Sequence, residues 1–257
     1  KKEIIYFDGI VWTENDLSIW KIISSISNKS FKVICEMSEF LDIHISNKGN
    51  LLQKRVADVQ QAYFEKTYIK KLDGFVLMTK ALMEHYSTFS QHPPLLHLPM
   101  TVDLKRFQKQ IAPPLELKKP YIAFVGVMDD AKDGINILIE AFNKIANDNP
   151  NLNLYLVGGW NYDTPSHLER INELRLEDRI HWVGEYPRDT IPSIICNAKL
   201  LVLPRPDSKQ AQGGFPTKLG EYLATGRPVC ATTVGEIPEY LEDKKSVYFA
   251  KPGSVKS

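Results

Sequence analysis

The sequence predicts an α/β protein built on doubly wound parallel sheets, and three observations carry that prediction. From Pro120 to the end, short apolar runs alternate with amphipathic stretches. Some runs, such as LLVLP, are apolar on both faces, as suits a strand covered by helices on both sides. Glycine and proline fall where elements should end, at Asn149-Pro150, at Pro204 with Pro206, and at Gly226 before Arg227-Pro228. Strands spaced by helical patterns are the mark of parallel βαβ units.

Taken in chain order, residues before about Thr101 offer strand-like EIIYF, FKVICE, GFVLM and LLHLP, separated by helical NDLSIWKIISSI and a long LLQKRVADVQQAYFEKTYIKKL. They read as the latter part of an α/β domain, because the chain opens inside a strand with no preceding strand, Gly-rich turn and helix. Residues 99–118 show no periodicity and contain Pro113-Pro114, which marks an interdomain linker. Beyond it come strands YIAFVG, LNLYLVGG, RIHWVGE, KLLVLP, RPVCAT and SVYFA. The helices between them are INILIEAFNKIA, HLERINELRL, TIPSIICNA, KLGEYLATG and EIPEYLED. The chain stops at KPGSVKS, where a further helix is expected to cover the sheet. The predicted organisation is therefore a partial α/β domain over 1–100, a linker over 101–119 and a Rossmann-like domain over 120–257.

Composition narrows the function classes. A hydrophobic fraction of 43% across 257 residues is enough for an ordinary globular core. The net charge of +1 supplies no field for nonspecific nucleic-acid binding, so any anion site must be local. Cys35, Cys196 and Cys230 are odd in number and far apart, which argues for reduced thiols in a cytoplasmic protein. No apolar run is long enough to span a membrane, and Lys1-Lys2-Glu3 does not open a signal peptide. Peripheral contact with the inner face of the membrane is left open, since FEKTYIKK is basic and aromatic, although a solvated helix face is its simpler reading. His44, His85, His92, His97, His167 and His181 lack metal-ligand spacing, and His97, set between leucines, reads as a hydrogen-bonded structural histidine.

In doubly wound sheets ligands bind beyond the carboxyl ends of strands, so the loops after strands matter most. The loop after KLLVLP reads RPDSKQAQGGFPTKLGEYLATGRPV. Gly213-Gly214 allows close backbone approach, Pro216 suits a helix start, and Thr217 to Thr225 should form the helix. Its free N–H groups and positive dipole end suit a diphosphate, with Lys218 adding a full charge. Spacing puts Thr217, Lys218 and Glu221 on an exposed face and Leu219, Tyr222 and Leu223 toward the sheet. Glu221, one turn inside the helix, is placed to accept hydrogen bonds from sugar hydroxyls. A Gly-Pro turn followed by a solvated Lys and Glu is the plainer alternative.

GGFPTKLGEYLATGRPV followed by TTVGEIPEYL resembles the signature of family-four glycosyltransferases that build bacterial capsules and exopolysaccharides. FVGVMDDAKDGINILIEAF is similar to that family's first loop and the helix after it. LYLVGG and RIHWVGEYPRDTIPSII extend the resemblance, and GFVLMTKAL and HLPMTVDLKRF extend it loosely toward the amino terminus. The resemblance implies the GT-B fold of two Rossmann-like domains, the amino-terminal one incomplete here. It implies that Glu221 matches the second glutamate of the E-x7-E motif and meets the donor ribose, and that Lys132 lies near the diphosphate. It further implies that Gly126 admits the leaving group and that Gly214, Phe215, Pro216 and Thr217 present amides to phosphate or donor sugar. Two positions depart from the pattern. Gly213 stands where the first glutamate belongs, and Val127 or Met128 where an arginine often follows the first-loop glycine. Arg205 is the candidate replacement cation. Tyr186, in the Glu185–Arg188 loop, is a candidate for stacking on the base, against the plainer reading of a half-buried tyrosine. Glu36 and Glu39 in CEMSEF are candidates for the acceptor side, against ordinary surface carboxylates.

The implied activity is transfer of a sugar, with retention, from a nucleoside diphosphate sugar to a saccharide or lipid-linked acceptor, with no cofactor and no metal. The chain contains no D-x-D sequence of the kind that commonly holds a metal on a nucleotide diphosphate. A GT-B epimerase or phosphorylase and a noncatalytic nucleotide-binding paralogue are the alternatives. A dinucleotide-dependent oxidoreductase is disfavoured, because no G-x-G-x-x-G follows the first strand of either segment.

Overall fold

The structure is a computed structural model that describes residues 4–7, 10–14, 25, 30–40, 55, 56, 59, 62–107, 112–114, 116–118 and 120–256. The chain divides into two compact units. The first comprises Lys1–Met100 with Gln212–Phe215, and the second Thr101–Ala211 with Pro216–Ser257.

In the first unit, strands β1 (Ile4–Phe7), β2 (Ile10–Glu14), β3 (Lys32–Met37), β4 (Gly74–Leu77) and β5 (Leu95–His97) lie side by side in chain order. β2 to β5 pair in parallel, whereas β1 runs antiparallel to β2 with Phe7 opposite Ile10. The sequence reading missed β2 and with it this hairpin. Its signal was the dipeptide Asp8-Gly9 between the two strands, a strong two-residue hairpin cue. Helix α1 (Lys80–Ser87) starts at Thr79, whose Oγ1 accepts from the Leu82 N–H at 3.3 Å. The predicted helix NDLSIWKIISSI falls outside the described residues apart from Ser25, as do most of the positions before Tyr63 in the long helical stretch.

The FEKTYIKK segment exposes Lys66, Lys70 and Lys71 as its solvated-face reading expects, but not its aromatics. It forms a π-helical turn over Phe64–Tyr68 and a 3-10 turn over Ile69–Lys71, and Phe64, Tyr68 and Ile69 are fully buried. Phe64 stacks edge-on against Phe75 and Tyr86, at 5.9 and 6.2 Å between ring centres, so these aromatics build the core of the unit rather than a membrane-facing surface. No helix among the described residues is long and apolar enough to cross a membrane.

The second unit carries all six expected strands: β6 (Tyr121–Val125), β7 (Asn153–Val157), β8 (Ile180–Gly184), β9 (Leu200–Leu203), β10 (Val229–Thr232) and β11 (Tyr248–Ala250). Every pairing is parallel, in the order β11-β10-β9-β6-β7-β8. The order reverses between β6 and β9, which in a doubly wound sheet opens the crevice where ligands bind. The five expected helices are present as α3 (Ile135–Ala146), α4 (Thr164–Glu173), α5 (Ile191–Cys196), α7 (Thr217–Ala224) and α8 (Ile237–Tyr240). Two short helices were not foreseen, α2 (Asp130–Asp133) and α6 (Lys209–Gly213).

Helix α3 shows how sequence becomes packing here. Ile135, Leu138, Ile139 and Phe142 recur at helical spacing, and all four are buried against Phe124, Leu154 and Leu156 of the sheet. Burying each such side chain contributes about 1.5 to 3 kcal/mol relative to exposure. Gly134 joins α2 to α3 in the left-handed region at φ +70°, and a Cβ there would run into the Pro204 carbonyl. Only glycine lets the loop after β6 press against the loop after β9.

Candidate anion site

The carboxyl ends of β6 and β9, the first turn of α7 and the short α2 together bury charge. Lys218 lies on the first turn of α7, and its Nζ donates to Asp133 Oδ1 at 2.7 Å. The two side chains keep only 18% and 3% of their exposure. The expectation that Lys218 shares an exposed helix face is therefore wrong. Its long stem is drawn inward toward a buried carboxylate, while Leu219 and Tyr222 cover the sheet as expected and Thr217 stays exposed. The Tyr222 hydroxyl accepts from the Val125 N–H at 2.8 Å, tying α7 to the end of β6.

Gly126, next in the chain, completes the seat of the ammonium. A Cβ at this position would fall on Lys218 Nζ, and the Phe124 ring centre lies 4.5 Å from the same atom, within cation–π range. Burial lowers the Lys218 pKa, the Asp133 carboxylate opposes that shift, and Arg205 and Lys132 reinforce it. Arg205 is 3% exposed, a buried arginine rather than a surface one. Its Nε points at the Lys132 carbonyl at 3.5 Å, and its own carbonyl accepts from Thr232 Oγ1 at 2.7 Å. Lys218 thus carries the ion pair with Asp133, with the charges of Arg205 and Lys132 close enough to act on it. Val127 is exposed and Met128 buried where the first-loop arginine was looked for.

The amino end of α7 adds to this positive field. Pro216 is its N-cap and no side chain caps it. Such a terminus offers free N–H groups and a positive dipole end to an anion. Asp129 and Asp130 after β6, and Asp163 after β7, are turned elsewhere. Asp129 accepts from the Lys132 N–H, Asp130 from the Asn136 N–H, and Asp163 from the Asp130 N–H.

One turn along α7, Glu221 Oε1 receives a 2.6 Å hydrogen bond from Arg106 Nη1, while Arg106 Nη2 donates to the Arg188 carbonyl at 3.1 Å. Arg106 sits on a 3-10 turn, Leu104–Phe107, in the segment read as linker. The sequence reading missed both Arg106 and Asp133. A lone arginine in an aperiodic segment carries no signal, whereas Asp133 had one in its place between Lys132 and Gly134. Tyr186 is half-buried, and its hydroxyl donates to the Glu116 carboxylate; burial and that contact push its pKa up to about 12. Gly214 and Phe215 belong to the 212–215 segment of the first unit. In the same unit, Thr79 Oγ1 donates to the Gly213 carbonyl at 2.9 Å, and a Cβ on Gly213 would collide with the Phe40 ring. Glu36 and Glu39 are half-buried beyond the middle of β3.

Among the described histidines, His167 is structural. It is buried, with Nδ1 against Asn136 Oδ1 at 2.9 Å and Nε2 against the Met128 carbonyl at 3.1 Å. His97 Nε2 is buried with no hydrogen-bond partner among the described residues, contrary to expectation. His44 lies outside them. No group of three or more His, Cys, Asp or Glu placed to hold a metal occurs among the described residues. Cys35, Cys196 and Cys230 are free thiols, each pushed up by burial.

A family model described as glycosyl transferases group 1 matches residues 119–257. Among solved structures, the chain is similar to sucrose-phosphate synthase (tll1590) from Thermosynechococcus elongatus, at 20% identity and a TM-score of 0.73, covering 96% of this chain and 61% of that one. It is similar to Anabaena Alr3699/HepE in complex with UDP and glucose, at 16% identity and a TM-score of 0.69, covering 96% and 65%. It is also similar to the pneumococcal O-GlcNAc transferase GtfA in complex with UDP and GlcNAc, at 16% identity and a TM-score of 0.63, covering 93% and 44%. The chain therefore spans less than two thirds of the length of each of these structures. No curated protein matches the chain. The α/β architecture with two largely parallel sheets is the GT-B one that these structures share.

Proposed function

Because the chain belongs to the glycosyl transferases group 1 family, we propose that its second unit binds a nucleoside diphosphate sugar and that the protein transfers the sugar, with retention of configuration, to a hydroxyl of a saccharide or lipid-linked acceptor. The observation that carries this reading is the Lys218 ammonium held on the buried Asp133 carboxylate at the strand-order reversal, with the charges of Arg205 and Lys132 acting on the same ammonium. Cleavage of the sugar–phosphate bond leaves positive character on the sugar and negative charge on the departing diphosphate. Fixed cations and the α7 amino terminus supply the electrostatic stabilisation, about 2 to 4 kcal/mol for each preorganised group in a dry site. Glu221 takes the ribose hydroxyls, Gly126 admits the phosphates, Gly214, Phe215, Pro216 and Thr217 line the phosphate or donor sugar, and Tyr186 borders the base. UDP in two of the similar structures supports a nucleotide in this place. The absence of D-x-D supports binding without a divalent cation. Cytoplasmic action, with peripheral membrane contact where the acceptor is lipid-linked, belongs to the same reading.

A second reading, donor binding without turnover, is favoured by Gly213. The motif's first glutamate is missing, and the space beside the glycine is filled by Phe40. Incubation with UDP-, GDP- and ADP-sugars and a panel of saccharide acceptors, followed by NMR of the anomeric proton in the product, separates the two. A product with the donor's configuration supports transfer with retention. An inverted product removes retention, and tight donor binding with no product selects the second reading.

A further inference from the structure

We infer that Asp133 is a positioning residue for the diphosphate: it holds the Lys218 ammonium, charged and in one place, against Gly126 at the mouth of the donor site. The inference rests on the donor-site reading above and assigns a role to a carboxylate that reading leaves unused. A carboxylate near a diphosphate is at first sight a fault, because like charges repel. Three features argue that this one serves the site.

Asp133 is 2% exposed and its side chain 3%, so it is unavailable to water or to a bulky ligand. Its Oδ1 accepts from Lys218 Nζ. The ammonium is bounded from three sides: the carboxylate at 2.7 Å, the Phe124 ring centre at 4.5 Å, and the bare Cα of Gly126, where a Cβ would displace it. A lysine has four rotatable bonds and a strongly hydrated head, so an unanchored one would swing toward solvent rather than stay in this seat. Burial, together with the charges of Arg205 and Lys132, disfavours the charged form of Lys218, and the Asp133 carboxylate opposes them. Local order supports the same role. Asp133 closes α2, whose N-cap Asp129 fixes the turn, and Gly134 in the left-handed region locks the following residue to the loop after β9.

Electrostatics and positioning predict opposite signs for one substitution. Asp133→Asn keeps shape and an acceptor oxygen while removing a negative charge from the neighbourhood of the diphosphate. If Asp133 merely competes with the ligand for Lys218, the variant binds the diphosphate more tightly. If Asp133 positions Lys218, it binds more weakly.

The test uses the 257-residue chain and whichever of UDP, GDP and ADP the wild type binds most tightly, measured by calorimetry, together with the matching nucleoside followed by saturation-transfer NMR and a thermal melt of each variant. Asp133→Asn is expected to weaken the diphosphate at least tenfold and the nucleoside less than twofold. In a Lys218→Met background the same substitution should have no further effect on the diphosphate. Equal or tighter diphosphate binding, equal loss of diphosphate and nucleoside, or a loss that persists in the Lys218→Met background each overturns the inference. Should Asp133→Asn fail to fold, Asp133→Glu keeps the charge and moves the carboxylate outward. It is expected to lose diphosphate and spare nucleoside, and unchanged diphosphate affinity in it overturns the inference equally. Failure of the wild type to bind any nucleoside diphosphate removes the donor-site reading itself, a result visible before any variant is made.

Discussion

Helices α1 and α7 are both eight residues long and both belong to units built on parallel strands, yet their amino ends are finished in opposite ways. α1 is closed by its own sequence: Thr79 Oγ1 accepts from Leu82 N–H and donates to the Gly213 carbonyl, and Thr79 is 1% exposed. α7 begins at Pro216, which has no polar side chain to give, and around its first turn stand Lys218, Arg205 and Lys132. A helix end satisfied from within is a structural joint. One without a side-chain cap, beside cations, has the features that suit an anion.

The contrast makes graded predictions. Lys218→Met should have the largest effect, because it strands the buried Asp133 carboxylate. Stability should fall by about 3 to 5 kcal/mol, the usual result of removing one partner of a buried pair, and a denaturant titration would read it. A loss below 1 kcal/mol would mean that the seat is wetter than the structure indicates. Glu221→Ala comes next, with about 1.5 to 3 kcal/mol lost from nucleoside diphosphate binding and inorganic pyrophosphate binding spared, since a charged hydrogen bond to the ribose is what disappears. Equal losses for both ligands would move Glu221 out of the ribose role.

Gly213→Glu should not restore the family motif. Phe40 occupies the space, so the fold should lose about 1 to 3 kcal/mol by overpacking, with no gain in discrimination between donor sugars; melting curves and competition between UDP-sugars would check both parts. The smallest effect is expected from Thr79→Ala, about 1 kcal/mol of stability through the lost cap and no change in nucleotide affinity. A nucleotide defect in Thr79→Ala matching that of Glu221→Ala would erase the distinction between the two helix ends.

The second unit was legible because its chemistry is periodic. Runs such as YIAFV and LLVL, punctuated by Gly and Pro, placed six strands, the strand-to-loop rule pointed to the loop carrying Lys218, and the family resemblance pointed to Gly126 and Arg205. Lys218 itself was misjudged. Helical spacing puts it on the solvent side of α7, and spacing says nothing of Asp133, which is distant in sequence and draws the ammonium inward. Arg106 was unreadable for the same reason, as its partners Glu221 and Arg188 lie 115 and 82 positions away. In the first unit the hairpin of β1 and β2 was overlooked because EIIYF was taken alone, although Asp8-Gly9 announced its partner. In the aromatic and basic FEKTYIKK the solvated face holds only for the lysines, because composition is silent on which side of a turn each residue falls. Its aromatics face the core.

The central claim is that fixed cations and a helix end, rather than a metal, receive a diphosphate at the β6–β9 reversal. Calorimetry of the 257-residue chain with UDP, GDP and ADP in the presence of EDTA tests it most directly. The account predicts saturable binding of at least one of them, clearly weakened but still measurable in Lys218→Met and weakened by added salt as charge screening requires. Binding that appears only on addition of magnesium or manganese, or that survives Lys218→Met unchanged, would contradict it.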